Sequence, residues 1–221
     1  MNVLVVAAHP DDEVLGAGAT IHSLARHGDS VHVCVLSAES VTRESGLLEK
    51  MHESHKVLGV SSAVCGEFEC MKLKDADHHS IVKLIESSIR KTQPDVVITH
   101  HPADVHIDHQ VVAECCLEAI RLPQRQTEDL RKIRRVLAME VPSSTDWGAD
   151  PSKARFVPNV YREVEPEDIE AKISSLSVYE GVLRERPHPR SKCALESLSA
   201  VRGAMFGVCF AEAFQLVLEE I

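Results

Sequence analysis

A wholly apolar run, Val3-Leu4-Val5-Val6-Ala7-Ala8, ends without a linker at His9-Pro10-Asp11-Asp12-Glu13. A short continuous apolar run bounded by turn residues reads as a strand covered on both faces, the pattern of a parallel sheet between helices. Open sheets of that class bind ligands at the carboxyl edge of their strands. The junction therefore places an imidazole and a row of carboxylates where such a fold does its chemistry.

The rest of the chain keeps the alternation. Helices are expected over Gly16 to His27, closed by Gly28, over Leu47 to Leu58, closed by Gly59, and over Ile81 to Lys91. Strands are expected over Ser30 to Leu36, Asp95 to Thr99 and Arg135 to Glu140. Pro142 to Pro166 lacks periodicity and reads as a long loop, the kind that often forms a lid or a binding wall. Helices follow over Ile169 to Tyr179 and Ser191 to Arg202, joined by the basic connector Arg184 to Arg190. This order implies an α/β, Rossmann-like, three-layer fold with a mostly parallel sheet, in one domain over residues 1–221.

His9 and Asp12 stand three apart across a turn stiffened by Pro10, so both could reach one ion. Zinc accepts imidazole nitrogen and carboxylate oxygen together, and a catalytic zinc keeps a position for water. Asp11 would then be free to take that water's proton. The bland alternative is an Asx turn with helix capping. A second cluster weighs against it: Thr99-His100-His101-Pro102-Ala103-Asp104-Val105-His106-Ile107-Asp108-His109, again at a strand exit. Two exits in one parallel sheet can face each other, so His109 could complete a His-Asp-His set with His9 and Asp12. His106 would stand beside it, with Asp108 close enough to orient a ring.

Gly16-Ala17-Gly18 lacks the third glycine of a dinucleotide fingerprint, since Ile21 holds that place, so close packing of helix on sheet is the better reading. His22, His27, His52, His55, His78 and His79 fall on helices or their ends and read as solvated. Trp147 and Tyr161 lie in the long loop and fit sugar stacking or loop packing equally well.

The formal charge of −10 argues against a nucleic-acid partner. No run approaches the roughly 20 apolar residues of a membrane span. Seven cysteines, Cys34, Cys65, Cys70, Cys115, Cys116, Cys193 and Cys209, include no C-x-x-C pair and fit free thiols in a reducing compartment. With a strand rather than a charged, apolar leader at the start, a cytoplasmic location is expected. A homo-oligomer is compatible with all of this.

His9-Pro10-Asp11-Asp12-Glu13 resembles the signature of the LmbE-like/PIG-L family of zinc-dependent N-deacetylases. His106-Ile107-Asp108-His109 resembles that family's second motif, with Ile107 where proline is frequent. Glu140-Val141-Pro142-Ser143, Phe156-Val157-Pro158-Asn159, Arg202-Gly203 and Ala211-Glu212-Ala213-Phe214 look like later blocks. The resemblance implies removal of an N-acetyl group from an N-acetylglucosamine-type amino-sugar conjugate, giving acetate and a free amine. It implies Zn2+ on His9, Asp12 and His109, Asp11 as base, and His106 with Asp108 stabilising the oxyanion or protonating the leaving nitrogen. Many relatives anchor substrate with an arginine near the second helix, for which Arg43 and Lys50 are the candidates. Two alternatives stay open: a metallohydrolase of another amide or ester, and a nucleotide or sugar-phosphate binding module without turnover.

Overall fold

The computed structural model describes residues 1–37, 46–125, 130–148, 150 and 152–220. Its strands are β1 (Asn2–Ala7), β2 (Ser30–Val35), β3 (Ser62–Cys65), β4 (Val96–Thr99), β5 (Arg135–Met139), β6 (Val160–Glu163) and β7 (Ala211–Glu219). They form one sheet in the order β3-β2-β1-β4-β5-β7-β6. Every pairing is parallel except those of β7, which runs antiparallel to β5 and β6.

The buried-strand reading of the opening run is correct, and it explains the layers. Val3, Val5 and Ala7 of β1 face one core, while Leu4, Val6 and Ala8 face the other. The first core is closed by helices α1 (Asp12–Arg26), α2 (Leu47–Leu58) and α6 (Pro166–Ser177), with Leu195 of α7 (Lys192–Phe206) at its margin. The second is closed by α3 (His78–Thr92) and α4 (Ile107–Ala119), with Leu122 of the single-turn α5 (Leu122–Arg125). Cys34, Cys115 and Cys116 sit in this second core as small apolar side chains.

Some elements depart from the sequence expectation. Helix α1 begins at Asp12 rather than Gly16, because the motif itself winds the first turn: Leu15 N–H bonds Asp11 O at 2.8 Å. Helix α4 begins at Ile107, so His109 lies in a first helical turn. The expected loop from Pro142 to Pro166 holds a single turn at Thr145–Trp147 and the edge strand β6. Strands β3, β6 and β7 lack a clear sequence pattern: β3 and β6 are four residues each and largely uncovered, and β7 buries a carboxylate, Glu212. Glu212 accepts from the N–H groups of Ala19 and Thr20 and pairs with buried Lys172 at 2.6 Å, so the apparent break in the apolar pattern is a strut between α1, α6 and β7.

Gly16 is required by packing rather than by phosphate. A Cβ there would meet the Met139 sulfur of β5 at 2.6 Å, so only glycine lets α1 lie this close to the sheet. Among the described residues no helix is long and apolar enough to cross a membrane.

Candidate metal and catalytic centre

Strands β1 and β4 are neighbours at the point where the sheet order reverses, paired Val3↔Val96 through Val5↔Ile98. Their exits therefore lie side by side at a topological switch point, where doubly wound sheets hold ligands. Ala8 N–H donates to His100 Nε2 at 2.9 Å and ties the two exits together.

One oxygen collects the centre. Asp12 Oδ2 lies 3.1 Å from His9 Nδ1 and 3.1 Å from His109 Nε2. The far nitrogen of each ring is held by a second acid, His9 Nε2 by Asp108 at 3.0 Å and His109 Nδ1 by Asp104 at 3.1 Å. Carboxylates on the far nitrogens fix the tautomer and aim the near nitrogens, as they do around histidine-ligated metals. Two overlapping groups bring three donor atoms within 4.8 Å of one another: His9, His106 and His109, and Asp12, His100 and His109. The expected His9-Asp12-His109 set spans both.

The structure corrects the role given to Asp108. Its carboxylate accepts the N–H groups of Met71 (2.7 Å) and Leu73 (3.2 Å) and holds His9. His106 instead caps α4, its Nδ1 accepting the Asp108 N–H at 3.2 Å. That bond leaves the proton of the neutral His106 ring on Nε2. Asp104, which the sequence reading gives no role, lies in the same His-rich turn, and Ser144 and Thr145 from beyond β5 both donate to it. An acid five residues before a candidate ligand, in a His-rich turn, was the available signal.

Asp11 is where the capping alternative fails. It occupies the N-cap of α1, yet its side chain makes no capping bond, and its backbone sits at φ 108°. Such a conformation costs a non-glycine residue about 1–3 kcal/mol and persists only where the surroundings hold it. Here the hold is Glu13, fully buried, whose Oε2 accepts the Asp11 N–H at 3.2 Å while Oε1 lies 2.8 Å from His55 Nε2. His55 is thus buried rather than solvated, and His22 is likewise engaged, at 2.7 Å from Asp168. Beside Asp11 opens a cavity of about 350 Å³ lined by Leu47, Lys50, Tyr179, Arg184 and Arg190, among others. Arg190 Nη1 stands 3.8 Å from Asp11 Oδ2, steadied by a bond to Ser143. Lys50 therefore borders this cavity, whereas Arg43 lies outside the described residues. Trp147 is exposed, and Tyr161 stacks on Phe206 at the far edge of the sheet.

Burial alone would push His9 and His109 down, but the carboxylates override it: Asp108 and Asp12 raise His9 to about 11, and Asp12 and Asp104 raise His109 to about 9. Those rings hold Asp12 well below the usual carboxylate range against its own burial. His100 and His106 move the other way, to about 3 and about 4, through burial and the nearby His109 cation. Without a metal, protons on His9 and His109 serve as the counter-cations of this acid cluster. For chelator-treated protein the sign of the pH dependence follows. Raised histidines contribute stability fully below the unfolded value of 6.5, and His109 loses it as pH climbs through about 9. Lowered His100 and His106 contribute above 6.5 and lose it as pH falls toward about 4 and below. Thermal melts of the chelated protein should therefore peak near neutrality and fall toward pH 9; a transition temperature that rises over that interval would contradict the assignment.

The family model described as PIG-L, GlcNAc-PI de-N-acetylase, matches residues 4–120, which include both strand-exit motifs. An uncharacterized deacetylase, YaiS, of Escherichia coli K12 is 28% identical over 184 residues, covering 79% of this chain and 88% of that one. The N,N'-diacetylchitobiose deacetylase of Pyrococcus horikoshii superposes with a TM-score of 0.76 at 20% identity, over 98% of this chain and 83% of that chain. The 4-carboxy-2-hydroxymuconate hydratase of Pseudomonas putida KT2440 superposes equally well, with a TM-score of 0.77 at 20% identity, over 100% of this chain and 97% of that chain. The shared fold thus hosts more than one reaction, and the motifs carry the assignment. On the match that spans both motifs, the chain belongs to the PIG-L family.

Proposed function

We propose that this protein is a zinc-dependent deacetylase that hydrolyses the N-acetyl group of an N-acetylglucosamine-type conjugate, releasing acetate and a free amine. The observation that carries the reading is the pair of acid-held imidazoles meeting at Asp12 Oδ2, next to Asp11, whose side chain makes no capping bond to α1. Two nitrogens and one carboxylate oxygen make a three-ligand set suited to zinc, with Asp104 and Asp108 as outer partners. Zinc, when bound, supplies Lewis acidity and lowers the pKa of its water.

The chain's own residues do the rest. Asp11, held in place by Glu13 and Arg190, takes the proton of the attacking water. His106, neutral and carrying its proton on Nε2, donates to the oxygen that gains charge as the carbonyl carbon becomes tetrahedral. An amide nitrogen leaves only when protonated, and Asp11 by then holds a proton to give. His106 therefore acts as a neutral donor, and the acid role falls to Asp11. The cavity beside Asp11, with Lys50, Tyr179 and Arg184 in its wall, receives the sugar portion.

The relatives described as deacetylases support the reaction class, and the P. horikoshii enzyme's substrate supports the amino-sugar class. The test is release of acetate, in equal amount to free amine, from a panel of N-acetylated amino-sugar conjugates with zinc-loaded protein. Turnover should disappear with a chelator and return with zinc. No acetate from any member of the panel would overturn the reading, and hydration of an unsaturated acid instead would favour the hydratase chemistry found on the same fold.

A further inference from the structure

The segment between β3 and α3 brings a thiol to the wall of this centre. Met71 and Leu73 are pinned through their N–H groups to Asp108, and Met71 sits at φ 65°, in the left-handed region that side chains seldom adopt. Next to Met71 in the chain, the half-buried Cys70 stands beside the His9 ring. His9, Cys70 and Asp108 each offer a donor atom within 4.8 Å of the others. This group shares only His9 with the set described above.

We propose that His9, Cys70 and Asp108 form a second cation site, selective for soft, thiophilic divalent ions, whose occupation shuts down the first. Selectivity follows from the donors, because thiolate prefers ions such as Cd2+ or excess Zn2+ over Mg2+ or Ca2+. The antagonism follows from the ring. A neutral imidazole has one proton: while Nε2 keeps it toward Asp108, Nδ1 presents its lone pair at Asp12. An ion at Nε2 forces the proton onto Nδ1, and that nitrogen can no longer serve the first set. Binding also releases the Cys70 thiol proton to solvent as the sulfur–metal bond forms. The two sites are thus alternative tautomeric states of His9.

The experiment titrates CdCl2 into protein carrying one equivalent of zinc, and follows ultraviolet thiolate-to-cadmium charge transfer together with acetate release. The band should grow as activity falls. Measured against its own uninhibited rate, Cys70→Ser should lose the band and need about a hundredfold more cadmium for the same inhibition, since losing a ligand exceeds the roughly 10–100-fold that goes with an outer partner. A Cys193→Ser, Cys209→Ser double variant, which removes two exposed thiols, should behave as the parent. A band that survives in Cys70→Ser, or inhibition at unchanged cadmium concentration in that variant, would overturn the site. The band is read without turnover, so it decides this inference even where no acetate appears; absent acetate counts only against the proposed reaction.

Discussion

Replacing Asp11 with asparagine should leave zinc content unchanged and lower deacetylation by about a hundredfold or more, the scale expected for a general base. Asparagine is the right probe because it tolerates positive φ better than most residues, so the 108° backbone can persist. Its N–H still meets Glu13, and its size still fills the space before Arg190. What it loses is basicity. Metal analysis and acetate release on the same preparation check the claim. Near-normal turnover in metal-replete protein would remove Asp11 from the mechanism, and loss of zinc would mean that the roles of Asp11 and Asp12 are reversed.

His9→Ala, Asp12→Ala and His109→Ala should each lose most of their zinc, because a three-ligand site gives up a third of its donors. Asp104→Asn and Asp108→Asn should weaken binding by roughly 10–100-fold without abolishing it, since they only aim the rings. The ordering between the two groups is the informative part. Equal losses in both would dissolve the distinction between ligands and outer partners, and full occupancy in the alanine variants would remove the proposed centre. All five should still give a folded circular dichroism spectrum, because both hydrophobic cores lie beneath the centre rather than in it.

Much of this was legible in the chain itself. The apolar run of β1, the bounds of α2 and the meeting of two His-Asp clusters follow from local pattern plus the rule that parallel strands share an exit edge. The pairing of acids with rings was not. Asp104 and Asp108 flank His106 almost symmetrically in sequence, and only the early start of α4, with His106 as its cap, turns one toward His109 and the other toward His9. The missing cap at Asp11 was hidden for a different reason. Aspartate at a helix start normally caps, and the contact that holds this one at positive φ, buried Glu13 accepting the Asp11 N–H, needs His55 from α2 to satisfy the glutamate. Glu212 illustrates the same limit, a buried charge whose partners come from helices far away in the chain.

The adjacency of β1 and β4 also carries a meaning in time. His9 and His109 approach each other only after strands more than ninety residues apart have paired, and parallel pairings of that span form slowly because the intervening loop must first close. No early, locally folded fragment contains the centre. An ion taken up there would arrive on a finished scaffold, as a late passenger rather than a nucleus, and its uptake would clock the completion of the sheet.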